Sequence, residues 1–158
     1  MSASTDPAPS APMTVVCPTF EVAHGGEDYL ELVRLRDLHL RQPIGLHLHA
    51  EDRIGEERHR HFAIKDEGVI AGGLIAVRLS PDSAKLRQMW VLPELRGQGH
   101  GRHLIETVEQ VLLLDGVSHF TLHARENARG FYEKCGYEVV GGIFTEVDRP
   151  HLRMDKFV

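Results

Sequence analysis

Three glycines at alternate positions, Gly97, Gly99 and Gly101 in "ELRGQGHGR", stand directly ahead of a helical apolar pattern, Leu104, Ile105, Val108, Val111 and Leu112. Inside a helix or strand each glycine would cost roughly 0.5–1 kcal/mol relative to alanine, so the run reads as a loop. The apolar stretch "AKLRQMWVL" before it has strand character, and Asp115-Gly116 ends the helix after it. A strand, a bare loop and a helix in that order expose the first N–H groups of the helix, which have no internal partner. The helix dipole adds about half a positive charge there. Glycines let such a main chain approach an anion closely, with Arg96, His100 and Arg102 adding charge; the alternative is a tight strand-to-helix turn with surface arginines.

Two phosphate-binding readings fail on spacing. A dinucleotide fold needs G-x-G-x-x-G, and the third glycine would fall at Arg102. A nucleotide-hydrolysing loop needs Gly-Lys-Ser/Thr, whereas Gly101 is followed by Arg102-His103.

The rest of the chain alternates strands and helices around this unit. A strand is predicted over Thr14–Val22 and a helix over Glu27–Leu40 through Leu30, Val33, Leu35 and Leu38, stopped by Pro43 and Gly45. Leu46–Arg58 is polar, with a short helix expected around Ala50–Glu57. Arg60–Lys65 and Val69–Leu79 form a hairpin turned at Asp66-Glu67-Gly68, and "AKLRQMWVL" adds a third strand. After the central helix come a strand "SHFTLHA", a short helix "ENARGFYEKC", and strands "YEVVGGIF" and "HLRMDKF". Hairpins early and a crossover helix later imply an α+β fold on a mixed sheet.

The chain has 158 residues, 42% hydrophobic and 26% charged, which suits one domain, expected over 14–158 behind a disordered Ser/Pro/Ala leader at 1–13. A net charge of -5 argues against nucleic acid, and no apolar run nears the roughly 20 residues of a membrane span. A cytoplasmic protein with no membrane partner is therefore expected, its Cys17 and Cys135 buried or half-buried thiols. His47/His49 and His59/His61 alternate as two pairs, but they lack helical i, i+4 spacing and cysteine partners, so no metal is assigned. Arg34, Arg36 and Arg41 either border a cleft or form the solvent face of the first helix; the solvent face is expected.

"VLPELRGQGHGRHLIETVEQVL" resembles the acyl-CoA-binding motif of the GNAT superfamily of N-acyltransferases, V-x-P-x-x-R/Q-G-x-G-x-G/A, at Val91, Pro93, Arg96, Gly97, Gly99 and Gly101. Downstream, "ENARGFYEKCGYEVVG" resembles the family's A-x-x-F-Y-x-x-x-G-F/Y segment at Ala128, Phe131, Tyr132, Gly136 and Tyr137. "PHLRMDK" is similar to the closing strand of some bacterial members. The resemblance implies a mainly antiparallel twisted sheet with helices on both faces and a splayed central strand pair, Gln88–Leu92 parting from Thr121–Ala124. It implies acetyl-CoA as acyl donor, its pantetheine along the main chain of Trp90, Val91 and Leu92. Its pyrophosphate would lie on the amides of Arg96, Gly97, Gln98, Gly99, His100, Gly101 and Arg102. The implied reaction is direct transfer of an acetyl group to a primary amine in a ternary complex; the alternative is a non-catalytic acyl-CoA-binding module of the same fold. The acceptor's identity stays open between a small molecule and a peptide, and a homodimer is implied only by the family's habit.

Within that resemblance Tyr132 takes the place of the acid that serves the leaving sulfur. Two positions depart from the pattern. Many members place Asn six residues before the Phe, where this chain has Arg125, a residue able to reach a cofactor phosphate or to cover surface. Many also use a glutamate on the strand before the loop, and Leu86–Trp90 contains no carboxylate. His123 and His151 are the candidate bases, since an imidazole accepts a proton near neutral pH.

Overall fold

The computed structural model describes residues 17–158. The expected leader and residues 14–16 of the expected first strand lie outside the described residues. One seven-stranded sheet runs through the chain in the order β1-β2-β3-β4-β5-β7-β6, where β1 is Thr19–Val22, β2 Arg60–Asp66, β3 Val69–Ser80, β4 Ser83–Val91, β5 His119–Arg125, β6 Glu138–Glu146 and β7 Arg149–Phe157. Every neighbouring pair is antiparallel except β4 and β5, which are parallel and joined by the crossover helix α2, His100–Leu114. The expected mixed, mainly antiparallel α+β fold is the one observed.

Helix α2 covers one face. Its Leu104, Ile105, Val108 and Leu112 recur at one-face spacing and pack with Phe62, Ile64, Leu86, Phe120 and Met154. Each such fully buried side chain contributes about 1.5–3 kcal/mol relative to exposure. The short helix α3, Arg129–Lys134, joins the same side through Cys135 and Tyr132. Helix α1, Glu27–Arg36, covers the other face over β1–β4, with Tyr29, Leu32 and Leu35 against Val22, Ala63, Ile70 and Trp90.

Helix α1 corrects the sequence reading twice. The predicted stripe included Leu30 and Leu38, yet these are 58% and 40% exposed, and the inward face is Tyr29, Leu32, Leu35 and Arg36. Arg36, expected in solvent, is buried because Glu56 accepts both arms of its fork, Oε2 from Nη2 at 2.8 Å and Oε1 from Nη1 at 3.2 Å. Tyr29 also donates to Glu56 at 2.9 Å. Regular α geometry stops at Arg36; a π-helical turn, Asp37–Arg41, and a 3-10 turn, Gln42–Ile44, carry the chain to Gly45 in a left-handed conformation. The expected short helix at Ala50–Glu57 is instead two 3-10 turns, Ala50–Arg53 and Glu56–Arg58.

Strand β4 contains the feature that positions the site. Between the pairs Gly73↔Trp90 and Ile75↔Arg87, β3 has one residue, Leu74, and β4 has two, Gln88 and Met89. The extra residue makes a bulge, with Gln88 at φ 55. Side-chain alternation flips across it: Ala84 and Leu86 face α2 before the bulge and Val91 after it, while Trp90 turns to α1. The parallel ladder between β4 and β5 runs only from Ser83↔His119 to Leu86↔Leu122. Beyond it β4 follows β3 as far as Gly72↔Val91, while β5 follows β7 as far as Arg125↔His151. The central pair therefore opens at Leu86/Leu122, as the resemblance implied.

Candidate active site

The glycine loop lies past the end of β4, at the open end of that gap. Pro93–Leu95 forms a 3-10 turn, Gly97 and Gly99 take φ 77 and 88, and Gly99 caps α2. A side chain at either glycine would be strained in that left-handed region. Among the described residues, the N–H groups of 97–102 donate no hydrogen bond, whereas His103 N donates to Gly99 O at 3.0 Å. No acidic residue stands in the first turn of α2, and nothing lies within 4 Å of where a Cβ on Gly97 would project. Free amides, a positive helix end and open space fit a diphosphate.

The charged side chains of the loop are used differently from expectation. His100 is buried, and its Nδ1 accepts the N–H of Cys17 at 3.2 Å, so only its amide faces the loop. Arg102 pairs with Glu106 one turn along α2, Nε to Oε1 2.8 Å. Arg96 folds back so that its Nε donates to Val91 O at 3.1 Å, and Gln98 donates to Glu94 O at 2.9 Å. Trp90 is buried under α1 with its ring stacked on His39 at 5.1 Å, leaving its main chain as the part near the gap. Leu92 N donates to Ala71 O at 2.9 Å. Arg125 does not reach toward the loop; its Nη2 donates to Leu40 O at 2.8 Å.

Tyr132 reaches the gap from α3. Its hydroxyl donates to Met89 Sδ at 3.7 Å, a weak acceptor on the bulge, and its ring lies edge-on to Phe131. Met89 and Phe131 also bound Gly101, where a Cβ would come within 3.2 Å and 3.3 Å of them. Burial pushes the Tyr132 phenol up to about 12, so it stays protonated at neutral pH. Neither cysteine is placed for attack: both are free and buried, and burial pushes Cys135 up to about 11.

On the face of the sheet that α1 leaves uncovered, His123 and His151 come together around a carboxylate the sequence reading missed. Glu146 Oε1 is 2.9 Å from His123 Nδ1, and Oε2 is 3.8 Å from His151 Nε2. Burial alone would raise the Glu146 carboxyl; the hydrogen bond and charge of His123, with Lys85 and His151, outweigh it and hold the group below the ordinary range. His151 Nδ1 is 2.9 Å from Arg149 O, and a carbonyl only accepts, so Nδ1 carries the hydrogen and Nε2 presents a lone pair. Two signals could have found Glu146: it shares a hairpin with His151, and the register sets Glu146 opposite Arg149 and Phe144 opposite His151. Of the other histidines, His61 is buried with Nε2 donating to Glu56 O, and His47 and His49 are exposed. Among the described residues, no group of three or more His, Cys, Asp or Glu is arranged to hold a metal ion.

The family model for a GNAT acetyltransferase domain matches residues 46–158, more than two thirds of the chain. The chain belongs to the GNAT acetyltransferase family. A Bacillus subtilis relative, the uncharacterized N-acetyltransferase YjcF, is 31% identical over 109 residues, covering 68% of this chain and 78% of that protein. Another Bacillus subtilis relative is 33% identical over 84 residues, but the match spans only 57% of its length and 53% of this chain. The fold is shared with Escherichia coli ElaA, at 19% identity and TM-score 0.72 over 89% of this GNAT chain and 99% of that one. It is also shared with an aminoglycoside 6'-N-acetyltransferase solved with coenzyme A, at 17% identity and TM-score 0.70 over 89% and 96%. A GNAT acetyltransferase of Elizabethkingia anophelis solved with acetyl-CoA bound superposes at TM-score 0.65 and 12% identity over 89% and 97%. Among the described residues of this GNAT domain, no helix is long and apolar enough to cross a membrane.

Proposed function

We propose that this GNAT protein transfers an acetyl group from acetyl-CoA directly to a primary amine. The observation that carries the reading is the opening of the sheet at Leu86/Leu122 above a glycine loop with six free amides, beside the Tyr132 hydroxyl. The bound coenzyme and acetyl-CoA of two fold neighbours support the choice of donor. Amides of residues 97–102 would hold the diphosphate, and the main chain from Trp90 to Leu92, at and just past the end of β4, would guide the arm toward Tyr132.

An acceptor amine arrives largely protonated, with a lysine-like pKa near 10.4. His151 Nε2 takes its proton, and Glu146, ionised 3.8 Å away, stabilises the resulting imidazolium. His123 holds Glu146 in place. The free nitrogen then forms its bond to the acyl carbon as the carbon–sulfur bond breaks. Tyr132 meets the departing sulfur as a hydrogen-bond donor. Full proton transfer from a phenol at about 12 to a thiolate whose acid is near 8.5 is uphill by roughly 5 kcal/mol, so donation rather than complete transfer is its contribution. The missing strand carboxylate and the missing Asn are the two departures that favour a non-catalytic acyl-CoA module; in the catalytic reading Glu146 from β6 takes the place of the first.

The test is to mix purified protein, acetyl-CoA and a panel of amines and follow free thiol. Amine-dependent thiol release, absent without acceptor, is the expected result; donor binding without release across the panel would favour the non-catalytic module.

A further inference from the structure

The face of the sheet that α1 leaves uncovered holds more positive charge than the reaction needs. Arg87 on β4 shares its side with Lys85, since Ala84 and Leu86 point to α2. Arg125 on β5 shares the face of His123, two residues earlier on the strand. Its bond to Leu40 O brings the π-helical turn against this face, and the next residue along that turn is Arg41. All three arginines are half-buried.

Their partners do not match their charge. Arg36 nearby is spent on Glu56, and Arg125 on a carbonyl. The Arg41 carbonyl accepts from Leu46 N at 3.0 Å and Arg87 sits in the β3/β4 ladder, but the side chains of Arg41 and Arg87 make no hydrogen bond or ion pair among the described residues. Asp52 is the carboxylate whose charge bears on Arg41, and it does so without a hydrogen bond to it while accepting from His49 N at 2.8 Å; Glu146 is held by His123. Burial first, then the charges of Arg36, Arg125 and Arg87, push the Arg41 guanidinium below its ordinary value, and Asp52 offsets them only in part. A half-buried guanidinium has five donors and no acceptor role, and three such groups on one face repel. A carboxylate or phosphate accepting two parallel N–H bonds relieves both costs.

Resting on the acetyltransferase reading above, we propose that the acceptor is a small primary amine that also carries an oxyanionic group, bound by Arg41 and Arg87 with Arg125 beside them. The anion lies away from the glycine loop, whose amides are left for the donor. The amine end then points to the gap where Tyr132 and His151 meet it, because Arg125 pairs directly with His151 across β5 and β7 and its charge bears on Tyr132. A neutral amine lacks the group that would order it there.

The experiment compares matched pairs that differ only in the anion: 4-aminobutyrate with butylamine, and phosphoethanolamine with ethanolamine. Each is titrated calorimetrically into the protein saturated with coenzyme A, a state that cannot turn over, and each is then assayed for thiol release with acetyl-CoA. The anionic member of at least one pair is expected to bind and react at least tenfold better, and which pair responds separates carboxylate from phosphate. Arg41→Gln and Arg87→Gln should each remove most of that preference, with Arg87→Lys intermediate because a lysine lacks the fork. Equal binding within both pairs, or a preference untouched by the variants, overturns the proposal. A parallel loss of coenzyme A affinity in the variants also overturns it, by assigning these arginines to the donor. If coenzyme A does not bind at all, the acetyltransferase reading falls; the same titrations into free protein still decide whether the arginines select an anion.

Discussion

Glu146 and His123 meet at 2.9 Å although their strands are not neighbours: β7 lies between β5 and β6. The contact is possible because β6 bends through an irregularity between Val140 and Phe144, bringing the end of the hairpin over the face of the sheet. Gly141, at φ 82, sits in that bend. Tertiary geometry thus brings a carboxylate to His123 and His151, where strand β4 has none to offer.

If Glu146 stabilises the proton taken up by His151, Glu146→Gln lowers kcat/KM at neutral pH by about a hundredfold, the lower end of what a positioned base contributes. The loss should shrink as pH rises, because the free-amine fraction then no longer depends on the protein. The rising limb of the variant's pH–rate profile should move toward the amine's own pKa, near 10.4. Thiol release followed from pH 6 to pH 10 checks both; a variant with the wild-type profile removes Glu146 from the reaction.

Tyr132→Phe deletes the hydroxyl and keeps the ring that packs on Met89 and Phe131. The expected result is a fall in kcat of about tenfold to a hundredfold with acetyl-CoA affinity nearly unchanged, since a hydrogen bond to a charged group is worth about 1.5–3 kcal/mol. Single-turnover rates and calorimetry on the same variant separate the two quantities. Full turnover would leave Tyr132 as packing only.

The order of elements was legible in the sequence from local pattern: alternating apolar residues, glycines with no other use, and a helix stripe; the opening between β4 and β5 was expected only from the family resemblance. Side-chain destinations were less so. His100 stands in the middle of the glycine loop and yet turns inward to hold Cys17. No local pattern says which way a residue at a helix start rotates when the core has a donor to satisfy. Leu30 and Leu38 fit the helical spacing as well as Leu32 does, and the buried stripe is the one that meets Val22, Ala63, Ile70 and Trp90, the last brought to that face by a bulge. Glu146 was missed because a carboxylate was sought on β4, and only the bend in β6 brings one to the site.

Arg36 and Glu56 give a stability test. Their side chains are 5% and 1% exposed, 2.8 Å apart, with Tyr29 donating to the same carboxylate. Breaking one side of a buried pair leaves an uncompensated charge, so Arg36→Met should destabilise by about 3–5 kcal/mol. The double change Arg36→Met, Glu56→Leu removes both charges and should recover much of that loss. Chemical denaturation of the three proteins measures it; a single variant no less stable than the double would show that the pair's burial carries no such penalty.

Asp155 gives the pH dependence. It lies across β5 and β7 from Thr121, which donates to it at 2.6 Å, and it also accepts from His119 Nε2 and Arg153 Nη2, each at 2.9 Å. Burial alone would raise its carboxyl, but the hydrogen bonds of Arg153, Thr121 and His119 prevail and hold it at about 2. An unfolded aspartate titrates near 3.9, so the folded state binds this proton less well and gains from ionisation. The gain is complete above about pH 5, shrinks as pH falls through 4, and is gone below about 2. A shift of that size corresponds to about 2–3 kcal/mol. Asp155→Asn should therefore be less stable than the parent by roughly 2 kcal/mol at pH 6, with the difference narrowing as the pH approaches 2. Urea midpoints for both proteins across that range test the sign as well as the size, because a difference that widened on acidification would mean that Asp155 is easier to protonate in the fold than out of it.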